Sequence, residues 1–276
     1  MKIRKPNINY QDVEKYWYNG NAPLTYFTNA LFTLFPQGEE FFVASVREHK
    51  DKLSGQEYED VKKFIAQETL HGNQHLRLQK IIEETGFPIN EFDSFYRQTA
   101  FLNDNSFLAW SKLFFGENIS IAITSAIEHC TASLVFSLAK SNLFHLMPKS
   151  ISDLLKWHSL EELEHKDIAF NVLQKVDPSL KTRYAGMAIG GGFLLAYIIL
   201  GGIVYAATDK DFSIKKTLSD IPEMIKVNSG IFAGMITEIL KYFEKDFHPN
   251  KLDDSEIRKG LEEALEDILV SFKYAQ

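Results

Sequence analysis

The sequence predicts an all-α protein: a bundle of four main helices followed by additional C-terminal helices. Three observations carry this expectation. Apolar residues recur at spacings of three and four along most of the first 176 residues, the period of an amphipathic helix. No alternation of apolar and polar residues bounded by turn signals recurs, so strands are not expected. Glycine and proline stand where long helices should end, at Ser54-Gly55, Gly86-Phe87-Pro88 and Asp177-Pro178.

The first 20 residues are polar and aromatic and read as an irregular arm. Helical spacing begins near Leu24 and is interrupted by Pro36 and Gly38. Proline suits a first helical turn, where its missing N–H costs nothing, so a helix is expected to restart and run from Glu39 to Lys50. A long helix follows from Glu57 to Glu84, with Val61, Phe64, Ile65, Leu76, Leu78, Ile81 and Ile82 as its apolar positions. Residues 90–115 read as a loop and one shorter helix. The third long helix spans Glu117 to Lys140, and the fourth Ile151 to Val176. Residues 1–180 are thus expected to form the bundle. Residues 181–276 would add an apolar helix at 184–208 and an amphipathic helix at 252–274.

The chain has 276 residues, 45% hydrophobic and 24% charged, which excludes a disordered polymer. Its net charge of -7 argues against nucleic acid as a partner, since that binding needs a basic face. A single cysteine, Cys130, excludes an internal disulfide and a thiolate zinc cluster. The N-terminus lacks the apolar core of a signal peptide, so a reducing, cytoplasmic setting is expected.

The histidines and glutamates are not scattered. Glu68-x-x-His71 and Glu162-x-x-His165 each place a carboxylate and an imidazole three apart, on one face of a helix. Either pair alone reads as a solvated helix face. Two pairs in this order, each preceded by a helix with a lone Glu, match the ligand set of dinuclear carboxylate bundles. The lone glutamates are Glu39 (or Glu40) and Glu128. Four carboxylates and two divalent ions would together be near neutral, which lowers the cost of burial. Thr124, Ser125, Thr131 and Ala132 leave space beside Glu128, and Gly72 does so beside Glu68. His158 shares an arc of about 60° with Glu162 and His165, which suggests a third imidazole ligand. His75, His129 and Glu161 are candidates for orienting the ligands from behind. Glu164 lies about 160° from Glu162 around the helix and is expected to be dispensable.

Four segments resemble a bacterial family labelled predicted metal-dependent hydrolases, grouped with ferritin-like proteins. They are Phe35-Pro-Gln-Gly-Glu39-Glu-Phe-Phe, Gln67-Glu68-x-x-His71-x-x-x-His75, Glu128-His129-x-Thr131-Ala132 and Trp157-His158-x-x-Glu161-Glu162-x-Glu164-His165-Lys166. The resemblance covers about residues 8 to 180. It implies a ferritin-like bundle holding two metal ions at Glu39, Glu68, His71, Glu128, Glu162 and His165, and it favours Glu39 over Glu40. The His158-x-x-x-Glu162-x-x-His165 pattern is also similar to that of the di-iron arylamine N-oxygenases.

Tyr184 to Thr208 holds 25 residues without charge, enough to cross a bilayer. The alternatives are a helix buried on the bundle, a homodimer contact, or a helix lying in a membrane surface. The expected function is a di-iron oxidoreductase that activates dioxygen on a small-molecule substrate, with manganese or zinc as alternative metals. The rivals are hydrolysis by a metal-activated water and non-catalytic metal binding.

Overall fold

Asn21 opens the first helix of the computed structural model, its side chain accepting a hydrogen bond from Leu24 N at 3.0 Å. The structure describes residues 1–102, 106–266 and 269–271. In chain order the elements are β1 (Arg4–Pro6), α1 (Ala22–Arg47), α2 (Gly55–Glu84), α3 (Ile89–Arg97), α4 (Phe107–Phe115) and α5 (Ile119–Ser141). Then come α6 (Lys149–His165), α7 (Ile168–Val176), α8 (Leu180–Thr208), α9 (Ile214–Lys241), α10 (Ser255–Leu265) and β2 (Leu269–Ser271). Among the described residues the protein is all-α apart from the β1–β2 pair.

The expected break in the first helix does not occur: α1 runs through Pro36. A proline inside a helix orphans the carbonyl four residues earlier, here that of Phe32. Gln79 on α2 supplies the missing donor. Its buried amide donates to Phe32 O at 3.0 Å and to Thr33 O at 3.2 Å. Gln79→Leu should therefore destabilise the fold by about 1–3 kcal/mol, the cost of an unmet buried carbonyl. Urea unfolding would measure it, and an unchanged midpoint would remove Gln79 from this role.

Residues 90–115 contain two short helices rather than a loop and one helix, with a π-helical turn at Gln98–Leu102 after α3. Residues 103–105 of that segment lie outside the described residues. The expected fourth helix is divided into α6 and α7 at Lys166 and Asp167. Lys166 turns its ammonium inward to Asp254 and to Leu252 O. Both backbones stay near helical values (φ/ψ −48°/−21° and −104°/−8°), so the chain changes axis without a loop.

The N-terminal arm is not free. Trp17 stacks on Phe32 with ring centres 5.6 Å apart and donates to Asn29 Oδ1 at 2.8 Å. β1 pairs antiparallel with β2, Lys5 opposite Val270. Three residues are too few for alternation to show, so neither strand has a signal in the sequence. The expected helix at 252–274 is shorter: α10 ends at Leu265, and residues 269–271 form β2 instead. Its residues 267, 268 and 272–274 lie outside the described residues.

α8 lies against α1 and α5. A Cβ at Gly186 would sit 2.4 Å from Ala122 O, and one at Gly202 would sit 2.4 Å from Phe27 Cδ1. These glycines allow backbone to approach neighbour more closely than any side chain permits. α5 and α8 are both long and apolar enough to cross a membrane, but α5 is almost wholly inside the protein, whereas α8 keeps an outward apolar side.

Asp209 caps the end of α8 and ties it to the arm. It accepts from Tyr16 Oη at 2.6 Å and Tyr26 Oη at 2.7 Å and pairs with Lys15 Nζ at 2.6 Å. Burial opposes its charge, but these donors win and hold its carboxyl down at about 2. A carboxylate depressed in the folded state stabilises above its unfolded pKa and loses that contribution as pH falls through the folded value. The wild type should therefore lose about 1–2 kcal/mol between pH 4 and pH 2 that Asp209→Asn does not lose, a figure discounted because Lys15 is partly solvated. Parallel acid-unfolding curves for the two proteins would show the association wrong.

Candidate metal centre

Four helices aim acidic and imidazole groups at one buried volume. α1 supplies Glu39, one turn after Pro36; α2 supplies Glu68, His71 and His75; α5 supplies Glu128; α6 supplies His158, Glu162 and His165. All eight side chains are at most 4% exposed. Glu40 is exposed, so the choice between the two neighbours falls to Glu39. Gly72 lets α2 approach α1 here: a Cβ on it would sit 3.2 Å from Glu39 Oε2.

Their donor atoms fall into overlapping groups in which each lies within 4.8 Å of the others. One is Glu39, Glu68 and His71; another is Glu68, Glu128 and His165. His158 joins Glu39 and His75 in a third, and His71 and Glu162 in a fourth. Glu68 belongs to the first two and stands between them. His71 Nδ1 lies 3.3 Å from Glu68 Oε1, while His165 Nε2 lies 3.1 Å from Glu68 Oε1 and 3.3 Å from Glu128 Oε2. His158 Nε2 is 2.8 Å from Glu162 Oε1 and 3.9 Å from Glu39 Oε1.

The donors fit a metal because they have nothing else to bind. Both carboxylate oxygens of Glu39, Glu68 and Glu128 are buried without a hydrogen-bond partner, as are His71 Nδ1 and His165 Nε2. Among the described residues no lysine or arginine pairs with Glu39, Glu68, Glu128 or Glu162. Buried carboxylates without a cation are strongly disfavoured. Burial, with repulsion from neighbouring carboxylates, pushes Glu39 and Glu128 well above the usual carboxylate range. Burial acts the same way on Glu162, but the hydrogen bond from His158 and the attraction of His165, 3.6 Å away, overcome it and hold Glu162 well below that range. Burial opposes a charge on His71 too, yet Glu68 and Glu161 raise it well above its ordinary value. Carboxylate oxygens and imidazole nitrogens without thiolate suit iron, manganese or zinc.

A family model described as "Predicted metal-dependent hydrolase" matches residues 2–253. The chain belongs to that family. No curated protein and no solved structure matches it. Every residue of the buried cluster lies inside the matched span.

In this family member a second set of side chains fixes the imidazoles from behind. Glu161 Oε2 lies 3.1 Å from His71 Nε2, which leaves Nδ1 facing Glu68. Glu161 Oε1 accepts from Arg4 N at 3.1 Å. His165 Nδ1 shares a hydrogen bond of 3.3 Å with Gln67 Oε1. Thr131 Oγ1 donates to Glu162 Oε2 at 2.6 Å. Glu164 points away from the cluster, as its place around the helix requires, and has partners of its own. It pairs with Arg4 at 2.6 Å and accepts from Gln67 Nε2 at 3.2 Å, so it anchors the groups behind both histidines.

Two further expectations shift. His75 sits within the cluster, its Nε2 2.8 Å from His158 Nδ1 and 3.8 Å from Glu39 Oε1. His129 is not behind the ligands at all: it faces α9, hydrogen-bonds to Glu238 O at 2.9 Å and stacks on Tyr242. Its position next to Glu128 turns it about 100° around the helix, away from the cluster. Sequence reasoning missed Arg4, and it placed Gln67 and Thr131 in the motifs without a role for the Gln67 amide or the Thr131 hydroxyl. Arg4 carries no local signal, because its partner Glu161 is 157 residues away.

Glu161→Gln should weaken metal binding about 10–100-fold, the usual cost of losing the group that orients a histidine ligand. Competition with a chelator of known affinity measures it; an unchanged affinity would show that His71 needs no such support.

A cavity of about 80 Å³ opens beside the cluster, reaching Glu39 and Thr131 and bounded by α1, α4, α5 and α8. Its walls are almost entirely apolar, with Phe41, Phe42, Phe101, Phe107 and Phe193 prominent.

Proposed function

We propose that this protein is an oxidoreductase in which a dinuclear carboxylate–histidine centre, loaded with iron, uses dioxygen to oxidise an apolar small molecule. The observation that carries the reading is the position of Glu68, whose oxygens lie within reach of two separate donor groups beside an apolar cavity. Glu39, His71 and His158 would hold one ion, Glu128, Glu162 and His165 the other, and Glu68 both. The chemistry supplied by such a pair, when bound, is electron transfer to dioxygen. The chain's own part is to position and to protect. Glu161 and Gln67 orient His71 and His165, and Thr131 directs one oxygen of Glu162. The phenyl rings of the cavity exclude water and hold a substrate against Glu39 and Thr131, the polar groups where cavity and cluster meet.

Hydrolysis is the second reading, favoured by the description of the family. It needs a water with a base nearby, and the His75–His158 pair could accept its proton. The apolar cavity supplies few groups to bind a polar ester or amide, which places hydrolysis second. Anaerobic loading with Fe(II) followed by air tests the choice. A coupled diferric signal by Mössbauer spectroscopy, with oxygen consumed, supports oxidation. Two tightly held Zn(II) ions with turnover of a test ester, and no oxygen consumption by the iron form, support hydrolysis.

A further inference from the structure

We infer that the cavity takes the hydrocarbon chain of a lipid-like substrate directly from a bilayer surface, on which the outward faces of α4 and α8 rest. The inference rests on the reading of the cavity as the substrate site and names its substrate class. The cavity wall changes character along its length. Glu39, Phe42 and Thr131 are buried at the cluster, whereas Phe101, Phe107, Leu108, Phe193 and Leu194 are partly exposed. The opening therefore lies where the start of α4 and the middle of α8 meet α1, whose Phe41 is also partly exposed and stacks on Phe101. The outer surface beside it is apolar too. Leu113 and Phe114 on α4 are 74% and 69% exposed, and Leu195 and Ile203 on α8 are 59% and 57% exposed. Trp110, half exposed on α4, is of the kind that settles at the boundary between hydrocarbon and water. Isolated exposed apolar residues need no explanation, but several of them on the two helices that flank an opening do.

The choice of occupant follows from the opening and from how α8 is held. A second copy seated on this face would stop the opening, whereas a bilayer covers the face and delivers an apolar molecule to it. One side of α8 is taken up by protein. Gly186 and Gly202 hold α8 against α5 and α1, so lipid can reach only its outer side. Residues 184–208 carry no charge, and Arg183 immediately before them turns inward to Glu244 O, so the outer side offers lipid no charge across that stretch. Among the described residues the cavity lining also lacks a lysine or arginine, so a headgroup would remain outside while the chain enters.

The test uses the full-length, metal-loaded protein and phosphatidylcholine vesicles in a flotation gradient. The wild type should float with the vesicles. Leu113→Asp/Phe114→Asp and, separately, Ile199→Asp/Ile203→Asp should lower the partition coefficient roughly hundredfold, with melting temperature and metal content unchanged. Cavity occupancy is read with the fluorescent fatty acid cis-parinaric acid. Wild type should bind it, and Gly38→Leu, which fills cavity space where a Cβ meets only Phe42 Cζ at 4.0 Å, should not. No flotation of the wild type overturns the inference. So does a dimer that the aspartate pairs convert to monomer without any vesicle binding, or a fatty-acid affinity that Gly38→Leu leaves unchanged. Neither readout requires turnover, so both can succeed while the oxygen chemistry proposed above fails, and the two failures stay distinct.

Discussion

Replacing Glu68 by alanine should remove both ions of the proposed pair, and replacing Glu128 should remove one. The difference follows from geometry: Glu68 belongs to the donor group with Glu39 and His71 and to the group with Glu128 and His165, while Glu128 belongs only to the latter. Glu162 also faces both histidines, but at 3.8 Å from His71 and 3.6 Å from His165, and its two oxygens are already held by His158 and Thr131. It is therefore poorly placed to substitute for Glu68. Metal per chain, counted by mass spectrometry after loading and desalting, should fall from about two to near zero in Glu68→Ala and to about one in Glu128→Ala. Two ions retained in Glu68→Ala, or equal loss in both variants, would show that the groups do not form two sites joined at Glu68.

Removing the metal should lower the melting temperature of the wild type by about 15 °C or more. Each ion held at a thousandfold excess over its dissociation constant adds about 4 kcal/mol to folding. Two ions add about 8 kcal/mol, and a domain of this size shifts roughly 2–4 °C per kcal/mol. The sharper half of the prediction concerns Glu128→Gln. Without metal this variant should be more stable than wild type, because it deletes a buried carboxyl that is disfavoured by burial and by its neighbouring carboxylates and that no hydrogen bond satisfies. With metal the order should reverse. Thermal unfolding with and without chelator checks both signs. A metal-free Glu128→Gln that melts below metal-free wild type would mean that the carboxyl has a partner the geometry does not show.

The candidate site is legible in the sequence to the extent that it is local. In a helix, residues three and four apart share a face whatever the rest of the chain does. Spacing alone therefore groups Glu68 with His71, and His158 with Glu162 and His165. The lone Glu128 is legible for a related reason, since its neighbours at three and four positions are small. The fold is legible through the same period, which is why α2 and α5 fall close to their expected bounds.

What does not show in the sequence depends on residues far away along the chain. Pro36 reads as a helix start because proline orphans a carbonyl, and the group that satisfies it, Gln79, comes from the next helix. The backing of His71 runs through Glu161 to the backbone of Arg4. Spacing turns His129 about 100° from Glu128 and leaves its partner open, and that partner is supplied by α9, which packs on another side of α5. The ligand spacings and the all-helical pattern are thus properties of the sequence by itself, since helix geometry converts spacing into direction. Which glutamate of Glu39 and Glu40 turns inward, which side chains hold the histidines, and which side of the apolar helix α8 meets protein were decided by the tertiary structure. The reason is physical: burial, the pairing of an orphaned polar atom and the close approach at Gly186 are each set by a partner element, and no local window of sequence contains that partner.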